Sequence, residues 1–245
     1  MRKLSFLVAT AILLLMTEVS AASGSSSMEL ISPEIDLSDN VSLQRGAKLF
    51  VNYCLSCHNA SFMRYNRMAS DIGLTDEQVK ANMMFATDKV GDVMAVAMSP
   101  EDATVWFGSQ PPDLSVVSRS KGVEWLYSYM LSFYEDPNPS RPFGVNNVIF
   151  PDVAMPHVLL GLQGIQEKQQ HSSQEIGNLL ELMHPGSMKV DEYRDAVKDL
   201  VAFLAYLGEP AKLYRQQVGI FVLLFLLVLF VFSYALKKEY WKDIH

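Results

Sequence analysis

Cysteine is almost missing from this chain. Only Cys54 and Cys57 occur in 245 residues, so no disulfide framework staples the fold. A bridge between those two would close a very short, strained loop. The chain is long enough to bury a core without one. Histidine is scarce as well. Beyond His58, the sequence holds His157, His171, His184 and His245, scattered along its length. That scatter supplies no zinc-ligand spacing around the two thiols. Basic charge is outnumbered, with 20 Lys and Arg against 27 Asp and Glu. The acidic balance argues against nucleic acid; it fits a basic protein partner, or simply a solvated acidic surface. Strict apolar–polar alternation is rare, no internal repeat stands out, and the βαβ setting of a thioredoxin-like cysteine pair is absent. A mainly α chain with one globular domain is expected.

What the chain does have starts at its ends. Arg2 and Lys3 precede an apolar stretch, Leu4 to Met16, and Val19-Ser20-Ala21 offers small residues for a peptidase, with Ala22 as an alternative end. This is the pattern of a secretory leader, and the run is too short to span a bilayer. A second apolar run, Val218 to Leu236, carries no charge. At about 1.5 Å per residue it spans roughly 28 Å, close to the hydrocarbon thickness of a membrane. Lys212 and Arg215 precede it; Lys237, Lys238 and Lys242 follow, with Tyr240 and Trp241 placed for the interface. The expected division is a leader over 1–22, an exported domain over 23–211, a membrane anchor over 212–238 and a tail over 239–245. The leader exports the domain and the second run stops transfer, which leaves the lysine-bearing tail in the cytoplasm.

Helical spacing of Leu43, Ala47, Phe50 and Val51 predicts a helix over Gln44–Tyr53. Thr75 and Gln78 form a candidate capping box, and Pro100-Glu101-Asp102 suggests another helix start. Gly122 to Phe133 reads as an aromatic-rich helix ended by Asp136-Pro137-Asn138-Pro139. Residues 137–157 read as a long irregular loop, and 158–190 as loop with some strand. Tyr193, Val197, Leu200, Val201, Leu204 and Leu207 make the apolar stripe of a helix over Asp191–Leu207.

Cys54-Leu55-Ser56-Cys57-His58 is a C-x-x-C-H sequence, the spacing by which haem is attached. Two intervening residues let one turn of backbone bring both thiols to the vinyl groups on one haem edge, and His58 then places its imidazole below the iron. Export agrees, because such haem is attached outside the cytoplasm. The sixth ligand is less constrained. Thirteen methionines make any one a weak choice, and most are core filler. Met155 stands in Phe150-Pro151-Asp152-Val153-Ala154-Met155-Pro156, where the following proline stiffens the loop. His157, Met183 and Met188 are rivals, and so is an open site. Pro111-Pro112-Asp113-Leu114-Ser115 makes a rigid turn suited to wall a haem edge. Arg119 and Lys121 after it are either propionate partners or solvated cations. Trp106, Trp125, Tyr127 and Tyr129 read as core or haem-packing aromatics.

The order of these parts resembles the cytochrome c1 family, the haem subunit of the ubiquinol–cytochrome c oxidoreductase (bc1) complex. The resemblance covers essentially the whole mature chain. Its discriminating parts are Trp106-Phe107-Gly108 through Leu114, Met155-Pro156 and the tail helix. It implies a mainly α, cytochrome c-like haem domain with loop insertions and one C-terminal transmembrane helix. It also implies a single covalent haem c on Cys54 and Cys57, ligated by His58 and Met155, walled by Pro112, with Arg119 or Lys121 on a propionate. The expected role is one-electron transfer from a Rieske iron–sulfur protein to a soluble or anchored cytochrome c. The chain would sit beside cytochrome b in the lipid bilayer of a bacterial inner membrane, with its head in the periplasm. It would act as a carrier within an oxidoreductase complex, with no substrate chemistry of its own. Two other readings are a free-standing anchored cytochrome feeding a terminal oxidase and a haem-based gas or redox sensor with an open sixth position. A single attachment motif disfavours a di-haem peroxidase. Mass spectrometry of the mature protein is expected to find its first residue at Ala22 or Ser23; an unprocessed Met1 would refute the leader.

Overall fold

The computed structural model describes residues 28–96, 98–141, 143–169 and 175–243. The stretch expected to be a leader, His171 and His245 therefore lie outside the described residues. The first helix, α1, covers Asn40–Leu49. It starts earlier than the spacing predicts because Asp39 caps it, accepting from Val41 N at 2.9 Å and Ser42 N at 3.1 Å. It passes directly into a π-helical turn, Phe50–Cys54, a wide turn of the kind found at functional positions. The strand β1 (Ala60–Arg64) leads into α2 (Tyr65–Ile72), which ends at Gly73. Helix α3 (Asp76–Asn82) opens on the expected capping box: Thr75 Oγ1 accepts from Gln78 N at 3.2 Å, and Gln78 Oε1 accepts from Thr75 N at 2.8 Å. Next come β2 (Val93–Met94), which pairs antiparallel with β1, and α4 (Pro100–Phe107), capped by Ser99.

Helices α5 (Val117–Lys121) and α6 (Val123–Leu131) meet at Gly122, whose φ of 89° lets the chain turn between them. The aromatic helix ends two residues before the expected Phe133. That residue instead opens β3 (Phe133–Glu135), paired antiparallel with β4 (Val145–Asn147). The stretch expected to be an irregular loop thus contains a strand. Downstream lie α7 (Leu160–Gln163), β5 (Gly164–Lys168), α8 (Ile176–Leu179) and β6 (Leu180–Pro185), with β5 and β6 antiparallel. The architecture is mainly helical, with three two-stranded ribbons among the described residues.

Helix α9 (Val190–Gly208) fills the expected span and carries the core. Val197, Leu200, Val201, Phe203 and Leu204 are essentially inaccessible. It crosses α1 at Gly46, where a Cβ would stand 2.1 Å from the Asp199 carbonyl oxygen and 2.7 Å from Phe203 Cβ. The side chain of Asp199 is buried at the same crossing. It accepts from Ser42 Oγ at 2.6 Å and from both nitrogens of an Arg45 fork, the second at 3.0 Å. Glu209-Pro210-Ala211 breaks the chain before α10 (Lys212–Tyr240). The apolar side chains of α10, from Ile220 through Leu236, are exposed. Within Tyr214–Tyr240 the most apolar 18-residue window has a mean hydropathy of 2.8, and none of that window is buried. A helix apolar all round and covered by nothing requires lipid around it.

A Gly46→Ala change tests the crossing. Alanine is the better helix former by roughly 1 kcal/mol. Here, however, its methyl meets a backbone carbonyl that cannot rotate away. Overpacking should win, with a net loss of about 1–3 kcal/mol in denaturant unfolding of the purified protein; a gain in stability would show that the helices can separate freely.

Candidate cofactor site

The C-x-x-C-H residues form one compact turn at the end of the π-helical segment. The carbonyl of Cys54 accepts from Cys57 N at 3.0 Å and from His58 N at 2.8 Å. This fold brings Cys54, Cys57 and His58 together on the wall of a single cleft of about 350 Å³. Neither cysteine is in a disulfide. Cys54 is buried, and that burial pushes its thiol up to about 12.

The imidazole of His58 is held by a main-chain group. Its Nδ1 donates to the Pro112 carbonyl at 2.7 Å, which leaves Nε2 as the nitrogen with a free lone pair. Among the described residues Nε2 has no hydrogen-bond partner. Burial lowers the His58 pKa, against the opposing pull of the Pro112 carbonyl and the Asp113 charge, so the ring is neutral and able to ligate a metal. The Pro112 turn is itself fixed. Leu114 N donates to Asn59 O at 2.7 Å, Ser61 N to Asp113 Oδ2 at 3.0 Å, and Ser115 N to Asp113 Oδ1 at 2.7 Å. Partial burial works to raise the Asp113 carboxyl, but these donors prevail and hold it below its usual value. Pro112 therefore does more than wall the cleft; it sets the tautomer and orientation of His58.

Met155 lines the same cleft. The loop that carries it hangs on two asparagines that residue patterns did not single out. Asn147 is 1% exposed. Its Oδ1 accepts from Ile149 N at 2.9 Å and Phe150 N at 3.1 Å, while its Nδ2 donates to the Tyr129 carbonyl at 2.8 Å. Asn146 Oδ1 accepts from Asp152 N at 2.9 Å. Asp152 has the left-handed φ of 63°, and Arg141 bridges it to Asp136. The one legible signal was the Asn-Asn pair inside a proline-rich stretch.

The rival ligands fall elsewhere. His157 does not line the cleft: its ring stacks on Phe133 at 4.8 Å and 2° between planes, and burial takes its pKa down to about 4. Met183 is exposed on β6, and Met188 packs against the core. Met130 does line the cleft, a thioether that sequence patterns gave no reason to choose. Of the two candidate cations, Lys121 lines the cleft, with Nζ 5.2 Å above the Trp125 ring, whereas Arg119 is exposed and lies off the wall. Trp125 and Tyr129 line the cleft too, stacked at 4.9 Å. Tyr127 is buried elsewhere, with its hydroxyl donating to Arg194 O at 3.3 Å, and Trp106 is exposed.

This donor set suits an iron porphyrin. Two thiols and an imidazole lone pair share one wall, a thioether stands on the same cleft, the remaining lining is largely aliphatic and aromatic, and a cation lies at the rim. With the uncovered apolar helix at the C-terminus, these features define a membrane-anchored c-type cytochrome. Residues 34–175 and 187–244 match the Cytochrome C1 family, and the chain belongs to it. It is 47% identical to the cytochrome c1 of Allochromatium vinosum, over 100% of both chains. It is 46% identical to a protein of Nitrosomonas europaea named ammonia monooxygenase gamma subunit, again over 100% of both. It is 25% identical to the cytochrome c1 of Rhodospirillum rubrum, over 84% of this chain and 83% of that one. As a member of this family the chain carries covalently bound haem c and transfers electrons.

Asn147→Ala would leave the Ile149 and Phe150 amides without their partner and remove one donor from the Tyr129 carbonyl, which Ser132 also serves. A loss of about 2–4 kcal/mol is expected in equilibrium unfolding, the cost of stranding two backbone amides. A change under about 0.5 kcal/mol, the level of an ordinary surface substitution, would show that the loop does not hang on this side chain.

Proposed function

We propose that Cys54 and Cys57 form the two thioether links to one haem c, and that His58 Nε2 and Met155 Sδ are the axial ligands of its iron. The chain is the haem electron-transfer subunit of a bc1 complex. In this reading it takes single electrons from a Rieske iron–sulfur protein and gives them to a soluble or anchored cytochrome c, beside cytochrome b. The observation that carries the reading is that both thiols, the oriented imidazole and Met155 line one cleft.

The bound haem supplies the one-electron couple of its iron. The protein's residues determine where and at what potential that couple works. The Pro112 carbonyl holds His58 in the tautomer that offers Nε2. A Met thioether in place of a second His raises the reduction potential, which suits a late carrier. Trp125, Leu126, Met130, Val153 and Leu204 exclude water from the cleft. Lys121, at the rim, is the better placed of the two cations to pair a propionate; Arg119 remains a solvated surface group.

The leader and the apolar α10 support an exported head on a single-pass anchor, in a bacterial inner membrane, with the tail from residue 239 in the cytoplasm. The acidic balance of the chain, −7 overall, favours a basic acceptor and gives no footing for nucleic acid. A free-standing cytochrome and a sensor are less favoured by the family match. Membership in a monooxygenase is suggested only by the name of the Nitrosomonas protein.

Purification of the native membrane complex, with identification of its subunits, decides among these. Cytochrome b and an iron–sulfur subunit in the same assembly are expected; isolation alone, or with monooxygenase subunits, would overturn the bc1 assignment. At the site, ferrous Met155→Ala protein should bind carbon monoxide while the parent does not. Carbon monoxide binding by the parent would mean that Met155 leaves the sixth position open. Electron transfer to a basic cytochrome c should slow as ionic strength rises, because screening weakens steering between opposite charges; a salt-independent rate would remove that role from the acidic surface.

A further inference from the structure

One buried hydroxyl in the cleft points at a sulfur. The phenol of Tyr129 donates to Met155 Sδ at 3.3 Å. It is the only hydrogen bond of that hydroxyl among the described residues. Tyr129 is 7% exposed, so water has little access to replace the acceptor. The ring has little freedom to turn away. One face stacks on Trp125 at 4.9 Å and 9° between planes, and the ring meets Phe133 at 5.1 Å in an edge contact. The backbone beneath it is tied as well, with the Tyr129 carbonyl accepting from Asn147 Nδ2 at 2.8 Å. Asn147 also holds the start of the segment that bears Met155, through Ile149 N and Phe150 N. The donor on α6 and the acceptor in the loop are thus referenced to one side chain.

We propose that Tyr129 is a positioning residue for Met155, its O–H fixing the thioether and drawing electron density from it so that the haem works at a higher potential. This rests on Met155 being the sixth ligand. A thioether sulfur has two lone pairs and is a weak hydrogen-bond acceptor. With one pair on the iron, an O–H on the other competes for the same electron density. Ferric iron depends on that density more than ferrous iron does, so the hydroxyl disfavours the oxidised state. The bond also limits rotation about the terminal C–S bonds of an otherwise flexible side chain, so that one lone pair stays aimed into the cleft. Groups outside the ligand set tune metal sites in this way.

The test uses the haem-loaded protein in its native complex. In Tyr129→Phe the ferrous-to-ferric ratio at a fixed ambient potential is expected to fall about fivefold, the size of one net hydrogen bond, or about 40 mV at 59 mV per tenfold for one electron. The red absorption band of a thioether bound to ferric haem should persist, which a general collapse of the loop would not allow. Replacing Tyr129 by 3-fluorotyrosine keeps the ring in place and strengthens the donor, so the potential should rise. An unchanged potential in Tyr129→Phe with the band intact overturns the inference. If the Phe variant fails to assemble or loses the band, the fluorotyrosine protein decides: a rise supports the role, and no rise overturns it. If instead the parent lacks the thioether band, or Met155→Ala retains it, the assignment of Met155 as ligand is what fails.

Discussion

The close passage of α1 over α9 at Gly46 is the contact from which the rest of the haem domain is hung. No side chain fits between the two backbones there, so the helices approach until the groups of Asp199 and Phe203 fill the space of a missing Cβ. Helix α1 runs through the π-helical segment into the turn that carries the two thiols and the imidazole. Its height and direction over the cleft follow from where α1 rests on α9. The same helix reaches the other side of the site. Leu204 lines the cleft, Tyr193 Oη donates to the Met130 carbonyl at 2.9 Å, and the Leu204 carbonyl accepts from Ser118 Oγ at 2.9 Å. Asp199 adds a buried carboxylate at the crossing. Its hydroxyl and guanidinium partners meet the cost of burying it rather than adding much net stability, and they fix one register of helix on helix.

The two proposed ligand positions are supported by different means. On the imidazole side the decisive group is a peptide carbonyl, Pro112, in a turn closed by Asp113 and Ser115. On the thioether side it is a pair of buried amide side chains, which replace the missing regular structure of a proline-rich loop. Both arrangements leave few buried polar groups unpaired around a cleft that is otherwise apolar, as a low-dielectric redox site demands.

What could be read from residues alone divides along a physical line. Elements made by local rules were legible: the Thr75–Gln78 capping box, the α9 stripe and the apolar run of α10. The C-x-x-C-H turn was legible because its chemistry is tied to spacing, and the proline-flanked loop pointed to Met155, which lines the same cleft. The end of α6 was not, since Phe133 continues the aromatic pattern while its pairing with Asn147 across the ribbon draws it out of the helix. The ribbons themselves are too short, or in β5–β6 too irregular at Ile165 and Gln166, to show a two-residue period. The role of Pro112 escaped because any residue offers the same carbonyl. Arg119 and Lys121 are alike in charge, and only the path of α5 distinguishes the one at the rim from the one off it.

Between Gly208, where the core helix stops, and Lys212, where the membrane helix starts, stand Glu209, Pro210 and Ala211, with Arg215 paired back to Glu209. Three residues reach about 10 Å at full extension, and the proline and the ion pair shorten that leash further. Such a domain has almost no travel away from the bilayer surface. Any shuttling needed to bring two redox centres within tunnelling range must be done by the molecules that visit it.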